Sequence, residues 1–208
     1  MGLRLNFDEF YAITIKHLRS EFVTAPKNYE SISHVEISQY CVGMFPNGRP
    51  EVFIQTGGGD KKAPRAIIAS SLNLNLYHKD IISVFEKLGF TGWESYPVKI
   101  YKRNGDLIDG YHAFSIKGKC GKYDLSKSKI INYTRDYGGN IVTEKRYQGF
   151  YFNPDSWDGS DIFSMENKGW VNIVAEPVMR ELIKFNTHLN YERLSEYIHL
   201  EEVELNIL

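Results

Sequence analysis

The sequence has little that could form covalent or metal-based cross-links. Its two cysteines, Cys41 and Cys120, lie far apart and in no paired-cysteine motif, so we expect both to be buried thiols. Its six histidines form no His-Glu-x-x-His sequence and no pair four residues apart, which gives no signal of a zinc site. The sequence therefore predicts neither a disulfide nor a bound metal, and it implies no cofactor.

Long apolar runs are also missing. Residues 1–6 contain a basic residue, Arg4, but no apolar run follows it, so they do not resemble a secretory signal. No apolar stretch approaches the roughly 18 residues that a membrane-spanning helix needs. We therefore expect a cytoplasmic protein with no membrane partner.

The composition is that of a folded globular protein. The 208 residues are 42% hydrophobic, 25% charged and 14% aromatic, which differs from the composition of intrinsically disordered chains. The net charge is −1, but residues 98–149 hold eleven basic against five acidic residues, and residues 150–208 hold four against eleven. Either half could attract a charged partner, unless the fold mixes these charges again.

Hydrophobic periodicity and turn signals predict both helices and strands. We expect helices at residues 10–22, 79–88 and 177–185, where apolar residues recur at roughly helical spacing. Strands are expected at residues 35–40, 51–55, 66–69, 98–101, 107–116, 129–133, 140–152 and 171–174. The Asn104-Gly105 pair is typical of a tight hairpin turn, and Gly89 predicts the end of the second helix.

These elements predict an α+β fold, with a mostly antiparallel sheet and strand–helix units packed on it. An internal duplication is one interpretation, because apolar residues of the helix at 79–88 precede those of the helix at 177–185 by a constant ninety-eight positions. We predict a boundary after residue 63. Residues 1–63 would be an N-terminal helix and strand subdomain of unassigned role, and residues 64–208 the main domain.

Residues 147–163 lead from a predicted strand into a polar loop that carries one tryptophan and three carboxylates. Trp157 is expected to fold back onto the core, with the anchoring of a partner as the alternative. Asp158 and Asp161 are expected to cap turns, with acid–base chemistry as the alternative. Ser160 is not in a Gly-x-Ser-x-Gly sequence, so we expect it to hydrogen-bond its own loop rather than act as a nucleophile.

This loop also carries a resemblance to a known family. The segment Ser156-Trp157-Asp158-Gly159-Ser160-Asp161-Ile162-Phe163, followed by Val171-Asn172-Ile173-Val174 and a predicted helix, resembles a family of bacterial immunity proteins from polymorphic toxin systems. The resemblance covers residues 66–197, and nothing before them matches. It implies a non-catalytic protein that binds and neutralises a cognate toxin domain. The motif residues with an implied structural or binding role are Trp157, Asp158, Gly159, Ser160, Asp161 and Phe163.

The face that would bind such a toxin is predicted from charge alone. If the toxin is a nuclease with a basic cleft, complementary charge favours the acidic C-terminal part of this chain. The candidate partner-binding residues are Glu192, Glu196, Glu201, Glu202 and Glu204. Direct binding of nucleic acid is not expected, and the oligomeric state stays open.

Two other function classes remain open at this point. One is a small-ligand-binding protein or hydrolytic enzyme that uses the loop from Trp157 to Asp161 as a pocket wall, with Asp158 or Asp161 as a base. The other is an oligomeric structural module with exposed sheet edges.

Overall fold

A computed structural model gives the architecture of most of the chain. It describes residues 5–15, 21–32, 39–40, 42–46, 48–59, 63–71, 74–166, 168–185 and 187–202. The structure is 47% strand and 18% helical and contains a closed six-stranded barrel. The predicted α+β fold with strand–helix units on one sheet is therefore wrong, because the described residues form a mostly β fold.

The elements are numbered in chain order. The strands are β1 (Phe10–Ile15), β2 (Val23–Pro26), β3 (Val52–Gly57), β4 (Ile67–Ser70), β5 (Leu76–His78), β6 (Trp93–Tyr101), β7 (Leu107–Ile116), β8 (Gly118–Cys120), β9 (Lys129–Tyr137), β10 (Asn140–Gln148), β11 (Ile162–Met165), β12 (Lys168–Ala175), β13 (Leu189–Arg193) and β14 (Ile198–Glu202). The two α-helices with defined bounds are α1 (Lys79–Leu88) and α2 (Glu176–Leu182). Within the described part of the chain, no helix is long and apolar enough to cross a membrane.

The strands form three sheets. The barrel closes in the order β2-β3-β6-β7-β5-β4, with parallel pairs between β2 and β4 and between β3 and β6. A five-stranded sheet has the order β13-β1-β12-β11-β8. A three-stranded sheet has the order β14-β10-β9. The barrel encloses its own apolar core, which includes Phe53, Leu76 and Ile100.

The two helices fill the space between the barrel and the five-stranded sheet. Ile81 and Phe85 of α1 share one apolar core with Val178 and Leu182 of α2. However, α1 connects two barrel strands, whereas α2 connects β12 and β13 of the five-stranded sheet. The two strand–helix units therefore belong to different sheets, which is not the arrangement expected of a duplicated unit on one sheet.

The helix predicted at residues 10–22 is also wrong where the structure describes it. Residues 10–15 form β1, which pairs with β12 on one side and β13 on the other. Phe10 and Ala12 belong to one apolar core and Ile13 to another, so both faces of this central strand are buried. A strand buried on both faces loses the period-two alternation that marks a surface strand.

Other local predictions agree with the structure. The helix at 79–88 and the strand at 107–116 have the predicted bounds, and Gly89 ends α1 in the left-handed conformation with φ of 70°. The strand predicted at 35–40 lies mostly outside the described residues, and the described Gln39 and Tyr40 are helical. The predicted boundary after residue 63 lies between β3 and β4 in sequence. Strands from both sides of it share the barrel and the five-stranded sheet.

Candidate functional site

The motif loop, residues 157–161, connects a short 3-10 helix at Pro154–Ser156 to strand β11. Asn153 caps that helix by accepting a hydrogen bond from the N–H of Asp155 at 3.2 Å. Gly159 then turns the chain with a φ of 85°, a conformation that favours glycine. The turn places residues on either side of it against two other parts of the protein.

Trp157 packs onto the core, as the sequence predicts. Its ring makes edge-on contact with Phe10, with centroids 5.3 Å apart, and it lies 5.7 Å from the ring of buried Phe163. Its indole N–H donates a hydrogen bond to the backbone carbonyl of Ser160 at 3.1 Å. The indole is therefore half-buried, and its one hydrogen-bond donor is used. This tryptophan attaches the loop to the apolar core beneath it.

Asp158 joins the loop to the start of β8. Its Oδ2 accepts a hydrogen bond from the N–H of Lys119 at 2.8 Å, and its own N–H donates to the carbonyl of Lys119 at 3.1 Å. Its Oδ1 accepts from the N–H of Ser160 at 3.0 Å and from the Ser160 hydroxyl. Partial burial raises the pKa of Asp158, but these hydrogen bonds outweigh it and hold the pKa below the usual value of an aspartate.

Asp161 joins the loop to the turn between α1 and β6. Its Oδ2 accepts hydrogen bonds from the N–H and the hydroxyl of Thr91, both at 2.8 Å. The backbone continues this attachment, because the N–H of Ile162 donates to the carbonyl of Thr91 at 3.1 Å. The carbonyl of Asp161 also accepts a hydrogen bond from Ala175 at the end of β12.

Two glycines outside the motif make this close approach possible. A Cβ on Gly92 or on Gly118 would overlap with the carbonyl oxygen of Ile162 and with the side chain of Ser160. Ser160 itself is buried. The carbonyl of Gly92 accepts hydrogen bonds from the N–H groups of Lys117 and Gly118, both at 2.9 Å. The motif, the α1–β6 turn and the β7–β8 junction therefore form one packed unit.

The polar groups of this unit mainly stabilise the fold. Both Oδ atoms of Asp158 and Oδ2 of Asp161 accept hydrogen bonds from neighbouring residues, as the turn-capping interpretation predicts. A carboxylate oxygen that already accepts hydrogen bonds from the protein is less available to take a proton from a substrate. The geometry thus gives no support to the alternative in which Asp158 or Asp161 acts as a base.

The acidic candidates are only partly described. Glu192 on β13 and Glu196 in the following turn are exposed. Glu201 and Glu202 belong to β14, and Glu204 lies outside the described residues. In the register of the three-stranded sheet the backbone of Glu202 pairs with that of Arg146 in β10, so the fold brings part of the acidic half next to part of the basic half.

The structure also places the other candidates. Cys120 is a buried thiol, as predicted, and burial, followed by the charge of Asp158, raises its pKa to about 12. Cys41 lies outside the described residues. Among the residues that are described, no group of three or more His, Cys, Asp or Glu side chains could hold a metal ion.

Sequence reasoning missed the partners of the motif. The motif loop contacts four residues that lie about 40 to 70 positions before it in the sequence: Thr91, Gly92, Gly118 and Lys119. The sequence analysis assigns no role to the Thr-Gly pair at residues 91–92. Its role follows from tertiary packing alone.

Comparison with known proteins adds no assignment. No protein-family model matches the chain, and no curated protein matches it significantly. The resemblance to immunity proteins therefore stays a prediction that is carried by the motif and its surrounding elements.

Proposed function

We propose that this protein is an immunity protein of the bacterial cytoplasm that binds and neutralises a cognate toxin domain by occlusion, without catalysis. The observation that carries the proposal is that the motif side chains make their contacts within the protein itself. Its indole and its carboxylates, at Trp157, Asp158 and Asp161, all make hydrogen bonds with residues of the same chain. Such a motif shapes and stiffens a scaffold, which is what a protein that acts through a preformed surface needs.

The acidic C-terminal region is the binding face that charge favours. A toxin that cuts nucleic acid has a basic substrate cleft, and exposed carboxylates such as Glu192 and Glu196 would steer this protein towards it. Electrostatic steering mainly raises the rate of association, so this face would act chiefly on how fast the complex forms.

The proposal is tested with the C-terminal domain of the protein encoded immediately upstream of this chain's gene. That domain is expressed alone and together with this chain, followed by measurement of growth and by size-exclusion chromatography of the mixture. We expect the domain alone to stop growth, and co-expression to restore it through a stable complex. Growth arrest that co-expression does not relieve, with no complex, would contradict the proposal.

Stoichiometry separates occlusion from an enzymatic function. An occluding protein blocks one toxin molecule at a time, so inhibition of the purified toxin should become complete only near equimolar amounts. Complete inhibition at a molar ratio of about one to a hundred would require turnover and would refute occlusion.

A further inference from the structure

A groove on the outside of the barrel lies away from the motif. It has a volume of about 380 Å³ and is formed by strands β6 and β7 and the start of β3. Val52 and Pro97 supply apolar walls, and the groove is also bordered by Val98 and Tyr111, which are themselves buried in the barrel core. The Tyr111 hydroxyl is occupied by a hydrogen bond to the carbonyl of Arg65 at 2.8 Å. This volume falls within the range of about 300 to 1,000 Å³ that is typical of small-molecule sites.

A β-bulge shapes the groove. Val98 pairs with Tyr111 and Ile100 pairs with Ile108, so the single residue Lys99 stands opposite two residues of β7, Asp109 and Gly110. Gly110 has a φ of 86°, which permits the bulge. Bulges of this kind redirect side chains and are common beside binding sites.

The charged side chains that line the groove are unpaired as far as the structure describes the chain. The side chains of Glu51, Lys99 and Asp109 make no hydrogen bond and no ion pair with any residue that the structure describes, although the backbone N–H of Lys99 donates to the carbonyl of Glu51 at 2.9 Å. Many other charged side chains of the described chain do form ion pairs, for example Arg49 with Glu94. Two carboxylates and one ammonium group are thus held at one concave surface and available to a ligand.

His112 adds a polar group of a different kind. Its Nδ1 lies 3.4 Å from the Ser95 hydroxyl, which orients the ring, and its Nε2 makes no hydrogen bond with the described residues. Burial lowers the pKa of His112, although the charge of Glu86 partly opposes this shift. The imidazole is therefore neutral at neutral pH and adds no charge to the groove.

We propose that this groove binds a small ligand with two cationic groups and one anionic group, the charge pattern of a basic amino acid such as arginine. The two cationic groups complement Glu51 and Asp109, and the anionic group complements Lys99. The aliphatic part of the ligand packs on the apolar walls. This inference does not rest on the proposed immunity function.

The experiment is isothermal titration calorimetry of the full chain with L-arginine, agmatine and norvaline. Agmatine lacks the carboxylate and norvaline lacks the guanidinium group. We expect saturable binding of arginine, with agmatine and norvaline each weaker by about tenfold or more. Absence of saturable binding of all three at concentrations up to about 10 mM would overturn the proposal.

Variants then locate the site. Glu51→Gln and Asp109→Asn should each weaken arginine binding by about tenfold, and Lys99→Gln should abolish the preference for arginine over agmatine. Glu166→Gln, at an exposed carboxylate in the β11–β12 turn, is the matched control and should leave binding unchanged. Thermal unfolding checks that each variant is folded. Arginine binding that is equal in all three groove variants and the control would assign it to another surface and refute the proposal.

Discussion

Asp161 accepts two hydrogen bonds from Thr91 through one oxygen, from the backbone N–H and from the hydroxyl, both at 2.8 Å. The Thr91 hydroxyl in turn accepts a hydrogen bond from the N–H of Asp161 at 3.2 Å. Thr91 immediately precedes the turn into barrel strand β6, and Asp161 immediately precedes β11 of the five-stranded sheet. This pair therefore connects the barrel to the five-stranded sheet.

We predict that Asp161→Ala lowers the free energy of unfolding by about 1.5 to 3 kcal/mol, because it removes a charged acceptor from two donors. Urea denaturation measures the change. Asp155→Ala is the control, since the side chain of Asp155 lies in the same region and makes no hydrogen bond with the described residues. In a double-mutant cycle, Thr91→Val should couple to Asp161→Ala by at least about 0.5 kcal/mol. Additive effects of the two substitutions would contradict the pairing.

The close approach of Gly92 to Ile162 gives a second prediction. Gly92 and Gly105 both have positive φ, 86° and 90°, but a Cβ on Gly92 would overlap with the Ile162 carbonyl, whereas a Cβ on Gly105 meets nothing within 4 Å. Gly105→Ala should therefore cost only the backbone strain, about 1 to 2 kcal/mol. Gly92→Ala should cost about 3 kcal/mol or more, because the loop must also move. Equal losses in urea denaturation would argue against this contact.

The sequence predicts those parts of the fold that are set by neighbouring residues. Helix α1 has an apolar face at helical spacing and a glycine at its end, and the β6–β7 hairpin has an Asn-Gly turn, so both are correctly predicted. Closure of the barrel depends on parallel pairing of β2 with β4 and of β3 with β6, strands that are far apart in the chain. Local periodicity carries no information about such pairs.

The same distinction applies to the motif. The capping role of Asp158 and Asp161 follows from their residue type in a Gly- and Ser-rich loop, and the core contact of Trp157 follows from its size and apolar surface. The identity of the groups that they cap does not follow, because Lys119 and Thr91 are selected by the packing of three separate segments. The residue types of the loop thus favour a structural role over the alternatives, but they do not show which segments the loop holds together.

Trp157 provides a third prediction. Trp157→Ala should lower the free energy of unfolding by about 2 to 3 kcal/mol, somewhat less than a fully buried tryptophan would cost, because the ring is half-buried. Trp157→Phe should recover most of that loss, since it keeps the edge-on contact with Phe10 and gives up only the hydrogen bond to the Ser160 carbonyl. If Trp157→Ala is as stable as the parent and instead loses toxin binding, the residue is an anchor for the partner.

Asp158 predicts a pH dependence of stability. Its pKa is lower in the folded protein than in the unfolded chain, so its ionised form stabilises the fold at every pH above the unfolded value of about 3.9. That contribution disappears as the pH falls from there through the folded pKa. Asp158→Asn should therefore be less stable than the parent by about 1 kcal/mol at pH 7, and the difference should shrink below about pH 4. A difference that stays constant down to pH 2 would show that ionisation of Asp158 is not its source.

The acidic C-terminal region supplies the last prediction, which rests on the proposed function. Replacing Glu192, Glu196, Glu201, Glu202 and Glu204 together by lysine should slow association with a nuclease toxin and flatten its dependence on salt, because exposed charges act mainly on the encounter rate. Stopped-flow mixing at several salt concentrations measures both effects. A control replaces five other exposed acidic residues by lysine and so changes the net charge by the same amount, but on other parts of the surface: Glu30, Glu51, Glu86, Asp106 and Asp109. If both variants slow association equally, total charge is responsible and the assignment of this face is wrong. If only the C-terminal variant does so, the toxin approaches the protein from this side.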